Sequence, residues 1–398
     1  IPDHGVDKIN AAYSEGGYGL LIRTIRANVF PHLRVNHIVD TNFTGFSDLV
    51  DAIGCVYSDV DQRYFNQSAP GPDNYSSIDI QPGYQKLCGH NQSVHGALPF
   101  VRFRHTDSDL VRSARQQDFI RWAKDQYGID KLFANRARLL RIFGKHSTLD
   151  KGLQSESGIL DLFNLVLNSD LSTIRQVEFP ADLQPCTATS CYVTANATRE
   201  HAAYTRFMAV TAKVRPKPPP KSTTGRKRVG RLSSAGLVAD VPDGRSQAAA
   251  LPRPEMPVYF PRLIISGTSY CSAVTGNCDN GAEPSSEYAH SYPREYRIRD
   301  RHGVPHVAYR MTLAINPVLG QFYGVQGTAW RDPPLLRSPS GARTVAGRKL
   351  FLYSDGRRLT TVAWHNGPDT YWISNALTSE IPNREMVAIA ASLTRASG

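Results

Sequence analysis

Residues 98–116 read LPFVRFRHTDSDLVRSARQ and place Arg102, Arg104, Arg112 and Arg115 around Asp107 and Asp109 in an otherwise apolar neighbourhood. The first half of the stretch alternates like a strand. Side chains two apart share a face, so Arg102 and Arg104 are expected about 7 Å apart on one side, with Val101 and Phe103 on the other. HTDSD then offers Asp107 or Ser108 as the N-cap of a helix running from Asp109 to Tyr127. On a helical wheel Gln116, Phe119, Ile120, Ala123 and Tyr127 form the inward stripe. Extended backward, that stripe takes in Arg112 and Asp109, while Arg115 lies about 60° away, at its edge.

Two arrangements satisfy such a cluster. The arginines pair with Asp107 and Asp109, each exposed pair contributing about 0–1 kcal/mol, or they hold an anionic ligand. Burying several guanidiniums around too few carboxylates costs several kcal/mol per unpaired ion, and a bound anion removes that cost. A diphosphate fits the chemistry, because the planar guanidinium grips phosphate oxygens bidentately.

Strands and helices alternate upstream of residue 212, the pattern of an α/β domain. GGYGLLIRTIRANVF (16–30) reads as a helix and HIVDTNF (37–43) as a strand. TGFSDLVDAIG follows as a short helix with Thr44 as N-cap, Phe46, Leu49, Val50 and Ile53 on one face, Asp48 and Asp51 on another, and Gly54 at its end. Residues 213–257 are rich in Pro, Ser and Gly and read as a linker. After it, VAYRMTLAI (307–315) alternates as an antiparallel strand, LTTVAWHNGPDTYWIS (359–374) reads as a hairpin turning at Asn366–Asp369, and PNREMVAIAASL (382–393) as a helix. The organisation is thus 1–212, an α/β domain; 213–257, a basic linker; and 258–398, an α+β domain with an antiparallel sheet.

The 398 residues carry a formal charge of +11, but ten of the basic residues lie in 213–253 against Asp240 and Asp243, which leaves about +3 for the remainder. With the excess in one solvated run and no helix-turn-helix pattern, no nucleic-acid partner is expected. No run of 18 apolar residues forms a membrane span. HExxH, GxSxG, P-loop and GxGxxG patterns are all missing from the chain. The two histidines of HGVPH (His302 and His306) read as turn residues rather than metal ligands. The six cysteines group by spacing as Cys55 with Cys88, Cys186 with Cys191, and Cys271 with Cys278. No CxxC occurs, so the pairs read as disulfides of an oxidising compartment rather than zinc ligands.

Three ordered stretches, DKINAAYSEGG (7–17), VDTNFTGFSDLVDAIGCV (39–56) and HGALPFVRFRHTDSDLVRSARQQDFI (95–120), resemble successive motifs of the LytR-CpsA-Psr family, and VEFPADL and CYVTANAT resemble its tail. The resemblance implies a central sheet flanked by helices and a membrane-anchored, extracytoplasmic phosphotransferase. Such an enzyme moves glycopolymers (teichoic acid, capsule or arabinogalactan) from a polyprenyl diphosphate carrier to peptidoglycan with magnesium. It further implies that Arg102 and Arg104 bind the diphosphate, that Asp109 acts as base or orients a cation, that Arg112 and Gln116 complete the pocket, and that Lys8 contacts phosphate. Arg115 belongs to the same RQQ motif. The family's metal-binding motifs and membrane anchor are expected upstream of residue 1, so this piece is expected to show weak catalysis. The alternative reading is a non-catalytic envelope protein that holds polyprenyl phosphates or anionic glycans.

Overall fold

The computed structural model describes residues 1–66, 77–90, 94–103, 109–127, 135–155, 157–162, 180–183, 193–209, 236–252, 255–272, 278 and 291–396. The chain divides into two compact units, one formed by 1–40 with 148–226 and the other by 41–147 with 227–398.

In the first unit the long helix α1 (Ala11–Asn28) carries a break at Gly17, whose φ of 60° suits glycine. Gly16 and Gly17 therefore interrupt a helix that begins at Ala11, upstream of the expected start at Gly16. Asp150 accepts the main-chain N–H groups of Ile38 (2.7 Å) and Gly152 (2.8 Å) and meets the His37 ring at 3.2 Å.

The second unit holds the motif-bearing segments. Helix α2 (Phe43–Ile53) starts at Asn42, whose side chain accepts the Gly45 N–H at 2.8 Å, and ends at Gly54 with φ 91°. Asn42 thus replaces Thr44 as the N-cap, because two further residues wind into the first turn. Strand β1 (Val56–Val60) pairs antiparallel with β2 (Gly83–Leu87). The segment expected as a strand at 98–104 is instead a short helix, α3 (Ala97–Arg102), entered from an extended Gly96. Ala97 to Val101 are all buried, and a run apolar on every side carries no period that separates strand from helix. Pro99 sits in the first turn, where its missing N–H costs nothing. Helices α4 (Asp109–Gln126) and α5 (Arg136–His146) follow. Val56, Tyr64, Ile78, Leu87, Phe100, Phe119 and Trp122 form the core beneath them.

Beyond residue 235 the expected linker gives way to ordered structure. Leu237–Ala239 pairs with Leu263–Ile265, and α6 (Val241–Ala249) is capped by the Asp240 side chain. Ala248, Leu251 and Met256 enter the core. VPDGRSQAAA looks like a loop because its apolar residues are small, yet proline is at home in a helix's first turn. The rest of the expected linker, 213–235 with 253 and 254, lies outside the described residues.

The C-terminal segment forms an eight-stranded antiparallel sheet. Its strands are β3 (Ser269–Tyr270), β4 (Arg294–Arg299), β5 (Pro305–Asn316), β6 (Gln321–Thr328), β7 (Gly341–Val345), β8 (Arg348–Asp355), β9 (Arg358–Asn366) and β10 (Asp369–Ser374). They run β3-β5-β6-β10-β9-β8-β7, with β4 also on β5. The expected hairpin pairs Asn366 with Asp369. One face, with Tyr309, Met311, Leu313, Val325 and Ile373, packs on helix α7 (Asn383–Ser392).

The other face joins the motif-bearing strands. Arg310, Gln326 and Trp372 stand in register on three neighbouring strands and converge on the buried Asp59 of β1. Arg310 Nη1 lies 2.7 Å from Asp59 Oδ1, Gln326 Nε2 donates to the same oxygen at 2.6 Å, and Trp372 Nε1 donates to Oδ2 at 3.1 Å. Arg310, 1% exposed, also donates to the Asp61 carbonyl at 2.9 Å. Gly324 beside it leaves room for this: a Cβ there would lie 2.5 Å from the guanidinium carbon. The expected boundary between an N-terminal and a C-terminal domain is therefore crossed by the core itself.

Removing one partner of a buried ion pair strands the other charge, so Asp59→Ala is expected to lower the unfolding free energy by about 3–5 kcal/mol. Urea denaturation measures this. Asp59→Leu combined with Arg310→Met is expected to restore much of the loss.

Candidate functional site

The sequence-predicted arginines lie where α3 meets α4. Two bonds tie the helices together on either side of Arg102: Gln116 Nε2 donates to the Val101 carbonyl at 2.9 Å, and Arg115 Nη2 donates to the Phe103 carbonyl at 2.5 Å. Arg102 is half-buried, its guanidinium 4.1 Å from the centre of the Phe43 ring at the start of α2. Arg112 is half-exposed one turn into α4, and Gln116 is exposed. The structure thus brings Arg102, Arg112 and Gln116 onto adjoining elements beside the start of α4, the positive end of a long helix dipole. The side chain of Asp109, which opens α4, and residues Arg104 and Asp107 lie outside the described set. Lys8 is exposed in the other unit.

Arg115 is the correction here. Expected at the stripe's edge, it is fully buried at 0% exposure. Its guanidinium lies 4.7 Å from the Tyr64 ring, 5.6 Å from Phe100 and 5.7 Å from Phe103. Ile120, expected inward, is 65% exposed. The buried face of α4 runs through Val111, Arg115, Phe119, Trp122 and Gln126, and a wheel drawn by hydropathy alone turns the helix the wrong way. Arg115 and Gln126 are tolerated inside because both are bonded, Gln126 Oε1 accepting the Tyr57 N–H at 2.8 Å.

Asp48 and Asp51, read from sequence only as sharing a face of α2, organise the neighbouring loop. Asp48 lies 3.1 Å from His146 Nε2 and 3.7 Å from His90 Nε2. Asp51 accepts the N–H groups of Gly89 (2.7 Å) and His90 (2.9 Å) and meets the His90 Nδ1 at 3.0 Å. The approach is close enough that a Cβ on Gly89 would stand 2.0 Å from the Ser47 carbonyl oxygen. The adjoining Cys55–Cys88 disulfide forms, as does Cys271–Cys278. Cys186 and Cys191 lie outside the described residues.

Among the described residues the grouping with metal-ligand proximity is Asp51, Cys55 and Cys88. Both its sulfurs are spent in the disulfide, and magnesium prefers carboxylate, phosphate and water oxygens. This grouping therefore does not fit magnesium.

Residues 1–206 match the model of the LytR_cpsA_psr family. The chain belongs to that family. Over 120 residues it is 32% identical to a Bacillus subtilis protein named polyisoprenyl-teichoic acid–peptidoglycan teichoic acid transferase TagT, covering 30% of this chain and 35% of TagT. It is 34% identical over 120 residues to the probable cell wall biosynthesis protein LcpB of Corynebacterium glutamicum, covering 30% of this chain and 26% of LcpB. The chain thus spans well under half the length of these curated relatives. Among solved structures, Bacillus subtilis TagV superposes on 52% of this chain and 76% of its own, with a TM-score of 0.42 and 19% identity. The arginine-bearing α3–α4 junction and the Asp51 loop both fall within the LytR-CpsA-Psr match, whereas the eight-stranded sheet falls beyond it.

Burial of Asp51 favours its neutral form, but the N–H groups of His90 and Gly89 and the His90 ring outweigh this and hold the carboxyl below its usual range. A carboxylate with a depressed folded pKa contributes stability above its unfolded pKa of about 3.9, and that stability is lost as pH falls through the folded value. Asp51→Asn is therefore expected to be less stable than wild type by about 1 kcal/mol near neutrality. In denaturation curves taken at falling pH the gap closes below about pH 3.9, whereas a gap independent of pH contradicts the assignment.

Proposed function

We propose that this protein is a cell-envelope phosphotransferase that moves a glycopolymer from a polyprenyl diphosphate carrier to peptidoglycan. The observation that carries the reading is the family match over residues 1–206 together with Arg102 and Arg112 on adjoining helices at its centre. Relatives named as teichoic acid transferases and as a cell wall biosynthesis protein support it. Two disulfides fit an extracytoplasmic setting. No helix among the described residues is long and apolar enough to cross a membrane; association with the bilayer follows, in this proposal, from the lipid carrier.

Phosphoryl transfer asks the protein chiefly for positioning and for positive charge where oxyanion charge develops. Arg102, its guanidinium backed by the Phe43 ring, and Arg112 on the first turns of α4 hold the diphosphate oxygens, with Arg104 as their partner. Gln116 fixes the α3 end through the Val101 carbonyl, and Arg115 holds the helices together from within. An acceptor hydroxyl on peptidoglycan attacks the sugar-proximal phosphorus, forming a new P–O bond. The bridging P–O bond breaks and polyprenyl phosphate leaves, while the hydroxyl proton passes to the Asp109 carboxylate. No step is assigned to the magnesium expected in this family.

Transfer from a short-chain polyprenyl diphosphate sugar to a peptidoglycan oligosaccharide, assayed in the full native chain, tests the reading. Arg102→Ala and Arg112→Ala are each expected to lower kcat/KM by about 100-fold or more with unchanged circular dichroism. Wild-type turnover in both variants refutes the roles assigned.

A further inference from the structure

A second cavity lies far from the arginine junction. It has a volume of about 520 Å³ and is lined by Ile53 and Gly54 at the end of α2, Gln126 and Tyr127 at the end of α4, and Tyr57, Lys86, Asp300, Arg301, His302, Trp330, Asp332, Pro334 and Arg337. From Arg112 to Gln126 the helix rises about 21 Å, so this cleft and the arginine junction occupy opposite ends of the same helix. Its volume falls in the range of small-molecule sites, about 300–1,000 Å³.

The lining combines an aromatic corner with uncommitted positive charge. Trp330 is half-exposed; one of its faces is covered by the His306 ring, stacked at 5.0 Å and 11°. Tyr57 stands nearly perpendicular to it, with centroids 5.4 Å apart at 75°. Tyr57, 3% exposed, backs this corner rather than opening onto it, and the exposed part of Trp330 suits the C–H surface of a pyranose better than a flat base, which needs a slot. Lys86 Nζ sits 5.6 Å from the Tyr57 centroid, and Arg301 and Arg337 are exposed on the rim. Among the described residues none of these three cations has a carboxylate within ion-pair distance. Asp300 is already committed, accepting the N–H groups of His302 (2.8 Å) and Val304 (2.9 Å) with His306 Nε2 at 3.5 Å. Asp332 remains to accept from a hydroxyl. The rim is fixed rather than loose: Leu335 N–H donates to the Tyr84 hydroxyl at 3.0 Å, and the Tyr353 hydroxyl donates to the Leu336 carbonyl at 2.8 Å.

We propose that this cleft is a binding site for an anionic saccharide, a sugar ring resting against Trp330, which Tyr57 backs from within, with its carboxylate or phosphate on Lys86, Arg301 and Arg337. The site is separate from the transfer chemistry and is built jointly by the family domain and the C-terminal sheet. Its anion comes either from a carboxylated sugar of the wall or from a phosphodiester polymer.

Calorimetric titration of the full chain distinguishes these sources. The probes are a disaccharide bearing the lactyl carboxylate of muramic acid, its methyl ester, a glycerol-phosphate oligomer, and adenosine monophosphate. One of the two anionic glycans is expected to bind, identifying the source, with affinity at least about tenfold weaker in Arg301→Gln/Arg337→Gln and in Trp330→Ala. Arg102→Ala is expected to bind it unchanged, so loss of transfer and loss of this site are separable. The exposed arginine variants keep the test valid even where Trp330→Ala fails to fold. The proposal is overturned by no binding of either glycan, by equal binding of the ester or the nucleotide, or by unaltered affinity in Arg301→Gln/Arg337→Gln.

Discussion

The carboxylate of Asp59 is the point on which the larger unit depends. It lies in a strand buried along its whole length, and a charge in that position is tolerable only if it is paired and hydrogen-bonded. Arg310, Gln326 and Trp372 bond to it from three adjacent strands of a sheet far along the sequence. Around this polar centre Tyr57, Tyr84, Tyr296, Ala308, Ala363 and Trp372 pack as an apolar collar. The same contact brings Tyr57 and Lys86 on one side to Trp330 and Arg337 on the other, so the second cleft exists because the carboxylate is buried.

Much of the architecture was legible from the chain. The helix ending at Gly54, the hairpin at Asn366–Asp369, the C-terminal helix and two cysteine pairs follow from local rules of period, turn chemistry and spacing. What escaped reading has one cause, that tertiary contact overrides local pattern. In VAYRMTLAI the alternation marks one apolar face, and by the same rule Arg310 and Thr312 belong in water; they are buried because Asp59 awaits them. Residues 97–101 are buried on every side, which erases the period that would have named the segment a helix.

The candidate site shows the same limit. The motif series located the α3–α4 junction, yet hydropathy sent Arg115 to the edge when aromatic rings surround it, since a guanidinium stacks on such rings and is more weakly hydrated than an ammonium. Asp48 and Asp51 were visible as a pair, but their partners His90 and His146 come from a distant loop and helix, and no spacing rule links them. The aromatic corner of the second cleft left no local signal, because Tyr57 and Trp330 meet only after folding.

The sequence separation of 251 between Asp59 and Arg310 also has a bearing on biosynthesis. At about 5–20 residues per second of translation, the ribosome delivers the carboxylate roughly 12–50 s before the guanidinium that neutralises it. For that interval the early strands have no lid, and their closure waits on strands made much later. In a nascent chain of this kind the earlier strands are locked by the later ones.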